Sequence, residues 1–264
     1  VLQRLIGGLI TAFSMYSVLP VPRRVWDEDN MRWALAFFPL VGAVIGGAVW
    51  LWVALCRFWQ AGSLFCAAGM VLIPTAFSGG IHMDGLIDSC DALGSRGDRE
   101  RKLEILKDSH VGAFGVMGFG AYLLVATAAA ELWCRLERPL VPVMAGFVLS
   151  RALAALALVT MDCARGSGLA FLFAHSADRR TVRRAAAVYL VAVLSAMLWV
   201  SPAGGAVILC ACALWFGFWR RLCRRHFGGL TGDLTGFWIQ TCELTVLTTA
   251  ALSARLPWFG QGLF

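Results

Sequence analysis

Long apolar blocks separated by short charged segments dominate the chain, at residues 3–19, 34–56, 63–81, 112–133, 139–161, 185–201, 203–219 and 237–254. Each approaches the ~20 residues that a helix rising ~1.5 Å per residue needs to cross a ~30 Å hydrocarbon core. The ten-residue alternating segments of a membrane barrel are not visible, and hydrocarbon leaves no third way of satisfying the backbone. The pattern predicts an all-α, polytopic transmembrane helical bundle of about seven or eight spans, with short cytoplasmic helices between them. Division of the sixth block from the seventh rests on Ser201-Pro202-Ala203-Gly204-Gly205, a breaker cluster that turns an uncharged run back on itself. The first block is followed by no small-residue cleavage site and reads as a span rather than a leader. No linker, repeat or low-complexity tract divides residues 1–264, which read as one integral-membrane domain.

Composition agrees with a bilayer: 59% of the residues are hydrophobic and 15% charged, more apolar surface than a soluble domain of this size buries. Charge adds orientation, because cytoplasmic loops retain Lys and Arg. The connections after the first, third, fifth and seventh blocks carry Arg23, Arg24, Arg32, Arg96, Arg99, Arg101, Lys102, Lys107, Arg165, Arg179, Arg180, Arg183, Arg184, Arg220, Arg221, Arg224 and Arg225, seventeen in all. The opposite connections carry three, Arg57, Arg135 and Arg138. The odd connections are therefore expected in the cytoplasm of a bacterial inner membrane, with both termini outside. The net charge of +7 then reflects topology, contact with anionic membrane lipid and attraction of phosphorylated substrates, and none of it calls for nucleic acid. Nine cysteines lie scattered without C-x-x-C pairs or zinc-spaced histidines and read as packing residues. A homo-oligomer is compatible with the pattern.

Candidate chemistry concentrates where an uncharged span runs into acids, at Ser78-Gly79-Gly80-Ile81-His82-Met83-Asp84-Gly85-Leu86-Ile87-Asp88-Ser89-Cys90-Asp91. On a helix Asp84, Asp88 and Asp91 fall at i, i+4 and i+7, one face, where they repel unless a cation sits among them. Hard oxygen ligands suit Mg2+, with Mn2+ as the alternative, and Mg2+ prefers a few carboxylates completed by water and substrate phosphate. The bland reading is a solvated acidic loop balanced by the basic residues after it. Position at the mouth of a span favours a site, since ionisable groups at membrane depth usually line one. Downstream, residues 99–108 read as a short cytoplasmic helix that returns Asp108 to the same membrane edge. Arg151, midway along an uncharged span, needs a partner: either a structural pair with Glu243 or a substrate phosphate.

At these residues the chain resembles the cobalamin synthase family, over nearly its whole length. The family's His-x-Asp-Gly-Leu-x-Asp-x-x-Asp block is matched by residues 82–91, and its Leu-Glu-Ile-x-Lys/Arg-Asp-Ser block by residues 103–109. Further matches are Leu19-Pro20-Val21-Pro22, Phe38-Pro39-Leu40-Val41-Gly42, Ser150-Arg151, Ala164-Arg165 with Gly168-Leu169, and Gly228-Gly229-Leu230-Thr231-Gly232-Asp233. The chain departs from the family pattern at Val18, Ala92 and Gln240, and no role is carried onto those positions.

The resemblance implies a Mg2+-dependent enzyme in which α-ribazole, or α-ribazole 5′-phosphate, attacks adenosylcobinamide-GDP and expels GMP. Asp84, Asp88 and Asp91 would hold the metal. Asp108 is either a fourth ligand or the base, and His82 is the competing candidate for the base. Lys107, Ser109, Arg151, Arg165, Gly228, Gly229, Thr231 and Asp233 are the substrate-binding candidates, although an N-cap explains Asp233 equally well. Two rivals stand beside this reading. A CDP-alcohol phosphotransferase also clusters aspartates, but it needs Asp-x-x-Asp-Gly-x-x-Ala-Arg, whereas here Asp84-Gly85 leads into Leu86-Ile87-Asp88. A metal or corrinoid transporter places its polar residues near the midplane, whereas most here crowd at the predicted cytoplasmic edge.

Overall fold

In a computed structural model, which describes residues 2–22 and 28–255, each of the eight apolar blocks forms a helix. These are α1 (Leu2–Tyr16), α2 (Glu28–Phe58), α3 (Ser63–Phe77), α6 (Ala113–Arg135), α7 (Val141–Thr160), α9 (Arg179–Val200), α10 (Pro202–Phe227) and α11 (Gly232–Ser253). Between them lie α4 (Ile81–Gly94), α5 (Arg99–Ile105) and α8 (Leu169–Ser176). The acidic segment is thus helical, as its spacing requires, and α5 is the short basic helix; α8 lies outside the apolar blocks and was not expected. Among the described residues the only β-type pairing is one parallel bridge, Cys163 to Leu230. Arg23 and Arg24, used above for orientation, lie outside the described residues.

The all-helical membrane bundle is confirmed, while the number of spans falls below the seven or eight expected. Among the described residues, five helices are long and apolar enough to cross a membrane (α2 from Asn30, α6, α7, α9 and α10), or six if α3 and α4 count as one broken span. α1, at 15 residues, reaches only ~22 Å. α3 is equally short because the chain turns through 94° into α4. That turn is made by Gly79 and Gly80, at φ +63° and +80°, a left-handed conformation that glycine adopts without steric cost. α11 has the length of a span but carries Asp233, Gln240 and Glu243; it is buried along most of its course, so these groups meet protein instead of lipid.

α11 forms the axis of the bundle and packs against α4, α6, α7 and α10, while α2 packs on α1, α3 and α7. Small residues allow the close approaches typical of helices in lipid: a Cβ on Gly42 would lie 2.2 Å from the Phe147 carbonyl oxygen, and one on Gly146 2.8 Å from Val246. The expected break at Ser201 is present. Ser201 Oγ accepts from the Gly204 amide at 3.1 Å, and Pro202 opens α10 at a position where its missing N–H is no loss.

Midway along α7, the Arg151 side chain is 1% exposed. Its Nη1 donates to Glu243 Oε1 at 2.6 Å, to Phe147 O at 2.9 Å and to Ser150 Oγ at 3.2 Å. Placing a lone guanidinium mid-span costs about 2.5–3.5 kcal/mol on insertion scales. A partner on the axial helix offsets that cost and pins α7 to α11. Trp238 adds a second tie, its indole N–H donating to Ser150 O at 2.8 Å.

The odd connections meet at one end of the bundle. Val18 N donates to Phe77 O, Asp178 N to Arg32 O, Leu230 N to Asp162 O and Ala164 N to Leu230 O, and the Arg165 guanidinium donates to Leu103 O. Ser63 Oγ donates to Glu131 Oε1 at 2.9 Å and so joins the start of α3 to the closing turns of α6, at the other set of connections.

Candidate active site

Two glycines allow α4 to lie against the start of α11. A Cβ on Gly85 would stand 2.6 Å from Asp233 O, and one on Gly236 3.0 Å from His82 O, so only glycine permits backbones this close. The contact brings Asp84 and Asp88, on one face of α4, beside Asp233 in the first turn of α11. Asp88 feels the negative charge of Asp84, Asp233 and Asp91, and Asp233 that of Asp84.

Asp84 and Asp233 border a cavity of about 350 Å3 lined also by His82, Arg165, Thr231 and Gly232, with Tyr16, Phe38, Phe171 and Phe173 among its apolar walls, while Asp88 stands beside Asp84 outside the lining. His82 is buried, its ring 6.0 Å from that of Phe38 and 6.4 Å from that of Tyr16. Its Nε2 has no protein hydrogen-bond partner, which leaves a buried imidazole nitrogen free at the cavity. Arg165 is held by Leu103 O while its Nε, also buried, is unpartnered. Its positive charge acts on Asp233. Thr231 caps α11, its Oγ1 accepting from the Leu234 amide at 3.2 Å. The cap is therefore Thr231, and the Asp233 carboxylate is left beside the cavity. The N-terminus of α11 opens there too, and a helix N-terminus attracts anions.

The remaining sequence candidates lie elsewhere. Asp91 turns toward α6 and accepts from the Gly112 amide at 2.7 Å and the Gly115 amide at 2.8 Å. It supplies the cap that Gly112 cannot, and a Cβ on either glycine would come within 2.4 Å of its oxygens. Lys107, Asp108 and Ser109 form an exposed loop, of which only the preceding Leu106 reaches the cavity wall. Asp108 Oδ1 accepts from the His110 amide at 3.0 Å and contacts its Nδ1 at 2.7 Å. The backbone N–H and then the imidazole of His110 hold the Asp108 carboxyl below the usual carboxylate range. Gly228 and Gly229 end α10: their amides donate to Arg224 O and Cys223 O, and Gly228 takes φ +70°. Their amides are thus spent on the helix terminus. Arg151 is occupied by Glu243, the structural alternative considered for it, and does not line the cavity.

Among the described residues no three His, Cys, Asp or Glu side chains converge tightly enough to enclose a metal ion. Sequence reasoning missed Tyr16, Ser167 and the aromatic face of α8, all on the cavity wall. The quoted Gly168-Leu169 match was the available signal for α8.

The chain was compared with known proteins. The cobalamin-5-phosphate synthase family matches residues 8–251. An adenosylcobinamide-GDP ribazoletransferase of Lachnoclostridium phytofermentans is 38% identical over 97% of this chain and 98% of its own. Proteins with that name from Desulfitobacterium hafniense and Escherichia coli K12 are 36% and 32% identical, over 88% and 89% of this chain and 91% and 95% of theirs. No solved structure matches. With a family match across nearly all of its helices and relatives of this similarity over their whole length, the chain belongs to the cobalamin-5-phosphate synthase family.

Proposed function

We propose that the chain is an adenosylcobinamide-GDP ribazoletransferase. It transfers the corrin-bearing phosphoryl group of adenosylcobinamide-GDP to a free ribose hydroxyl of α-ribazole or α-ribazole 5′-phosphate, and releases GMP. The observation that carries this reading is the cavity where Asp84, Asp233 and Arg165 meet the N-terminus of α11, in a chain whose relatives bear that name along their full length. A pyrophosphate attacked by an alcohol needs positive groups for its oxygens and a proton acceptor for the incoming hydroxyl. Arg165 and the α11 amides suit the first requirement, and the unpartnered His82 Nε2 suits the second.

A divalent cation fits the donor set. Asp84, Asp88 and Asp233 repel one another, and Mg2+ takes one or two carboxylates and completes its shell with water and substrate phosphate, so a protein cage of three side chains is not required. Asp84 and Asp88 would hold it, with Asp233 next to them; Mn2+ suits the same oxygens. When bound, the cation neutralises charge on the pyrophosphate and the departing GMP. Arg165 orients the phosphate by hydrogen bonding. The ribazole oxygen bonds to the corrin-side phosphorus, the bridging P–O bond to GMP breaks, and the hydroxyl proton passes to His82. The reading places the cavity at the cytoplasmic face of a bacterial inner membrane, supported by the convergence of the basic odd connections at that end.

The test is to incubate the detergent-purified chain with adenosylcobinamide-GDP, α-ribazole and Mg2+ and to measure cobalamin and GMP by chromatography, with Asp84→Ala as control. Equimolar products from the unaltered chain alone support the reading. No GMP from either protein, or equal GMP from both, refutes it.

A further inference from the structure

The exposed stripe of α10 changes character along its length. Val207, Leu214 and Phe218 face outward, Leu214 at 71% exposure and Phe218 at 55%, while Ile208, Cys212, Trp219, Cys223 and Phe227 on the other side are buried. This spacing of three and four gives a helix with one protein face and one lipid face. Toward the C-terminus the outward stripe becomes Arg221, Arg224 and Arg225, which with Arg220 surround an open trough of about 730 Å3. Gly217 forms the floor, where nothing lies within 4 Å of a Cβ position. Arg220 is steadied over the Phe216 ring at 5.6 Å.

No ion pair among the described residues involves any of these four arginines. The nearby ionisable side chains Lys102 and His226 are basic as well. Four uncompensated guanidinium groups on one helix end repel each other and select against cations. They match a phosphate monoanion, which takes paired N–H donors from a planar fork. The apolar stripe directly below decides the source of that phosphate: a headgroup held at the arginines places its acyl chains along Phe218 and Leu214, whereas a free nucleotide or inorganic phosphate gains nothing from them.

We infer that the Arg220–Arg225 end of α10 is a binding site for an anionic phospholipid, separate from the cavity between α4 and α11. The full chain, stripped of lipid in neutral detergent, is offered phosphatidylglycerol or phosphatidylcholine, and bound lipid is counted by native mass spectrometry. Phosphatidylglycerol is expected to be retained in preference, and Arg221→Gln/Arg224→Gln/Arg225→Gln to lower its retention by about tenfold without changing that of phosphatidylcholine. Circular dichroism and Tm of the triple variant confirm that it folds, and the corresponding lysine triple variant is expected to keep the preference for the anionic lipid. Equal retention by unaltered and glutamine variants overturns the inference. So does displacement of the bound lipid by inorganic phosphate at matched concentration, which would identify a free-anion site. The lipid count needs no turnover, so it stands or falls independently of the transferase assay.

Discussion

Asp84, Asp88 and Asp233 form a knot of like charge that the fold maintains by backbone contact between two glycines, and nothing in such a knot favours folding. Under the proposed function, such a knot at a cavity edge serves binding. Asp88→Asn is expected to lower kcat by at least about a hundredfold, the scale for loss of one charged stabiliser at a reacting phosphate, with membrane insertion unchanged. Single-turnover GMP release checks it. His82→Ala is expected to lower the rate, while His82→Gln, which preserves volume, restores stability but not rate. Glu243 belongs to structure: Glu243→Gln leaves Arg151 without its counter-charge and is expected to destabilise by about 3–5 kcal/mol, seen as a lower Tm in detergent. A combined Arg151→Met/Glu243→Leu variant should recover most of that loss. At Asp108, His110→Ala removes the imidazole and leaves the backbone donor, so the carboxyl midpoint should rise part of the way to its ordinary value by carbon-13 NMR.

At the level of helices, the α4–α11 contact and the Asp91 cap are the two devices that shape the site. Gly85→Val forces a side chain into the Asp233 carbonyl and is expected to cost about 1–3 kcal/mol as an overpacked contact, with loss of turnover. Asp91→Ala leaves the first turn of α6 uncapped and is expected to cost about 1–2 kcal/mol. Loss of turnover in Asp91→Ala without the corresponding fall in Tm would give Asp91 a direct role at the reaction centre. The helices of the eight apolar blocks were legible in the sequence because hydrophobicity over about twenty residues is a strong signal, and α5 was legible from its charge pattern. α8 was not, since an eight-residue apolar stretch ending in His175 and Ser176 is too short for a span. The one-face placement of the acids followed from spacing alone. The turning of Asp91 toward α6 did not, because an N-cap supplied from 21 residues away is a tertiary event with no local signature.

For the molecule as a whole, the asymmetry of basic residues and the convergence of the odd connections describe the same two-sided object. An alkaline phosphatase fusion joined after Arg138 is expected to be active in the periplasm and one joined after Asp178 inactive; the reverse pattern would place the cavity on the outer face. Number of spans was the property least readable from composition: Gly79 and Gly80 bend one block into an elbow, and the axial position of α11 lets a polar helix run the length of the bundle. The ion pair between α7 and α11 also sets a clock on assembly. Arg151 leaves the ribosome 92 residues ahead of Glu243, roughly 5–20 s of synthesis at ordinary elongation rates. During that interval the fifth apolar block must wait, cation unanswered, at or near the insertion machinery. Commitment to the folded state therefore waits for synthesis of α11, and chains cut short before α11 are predicted to be cleared by membrane proteases while longer ones persist.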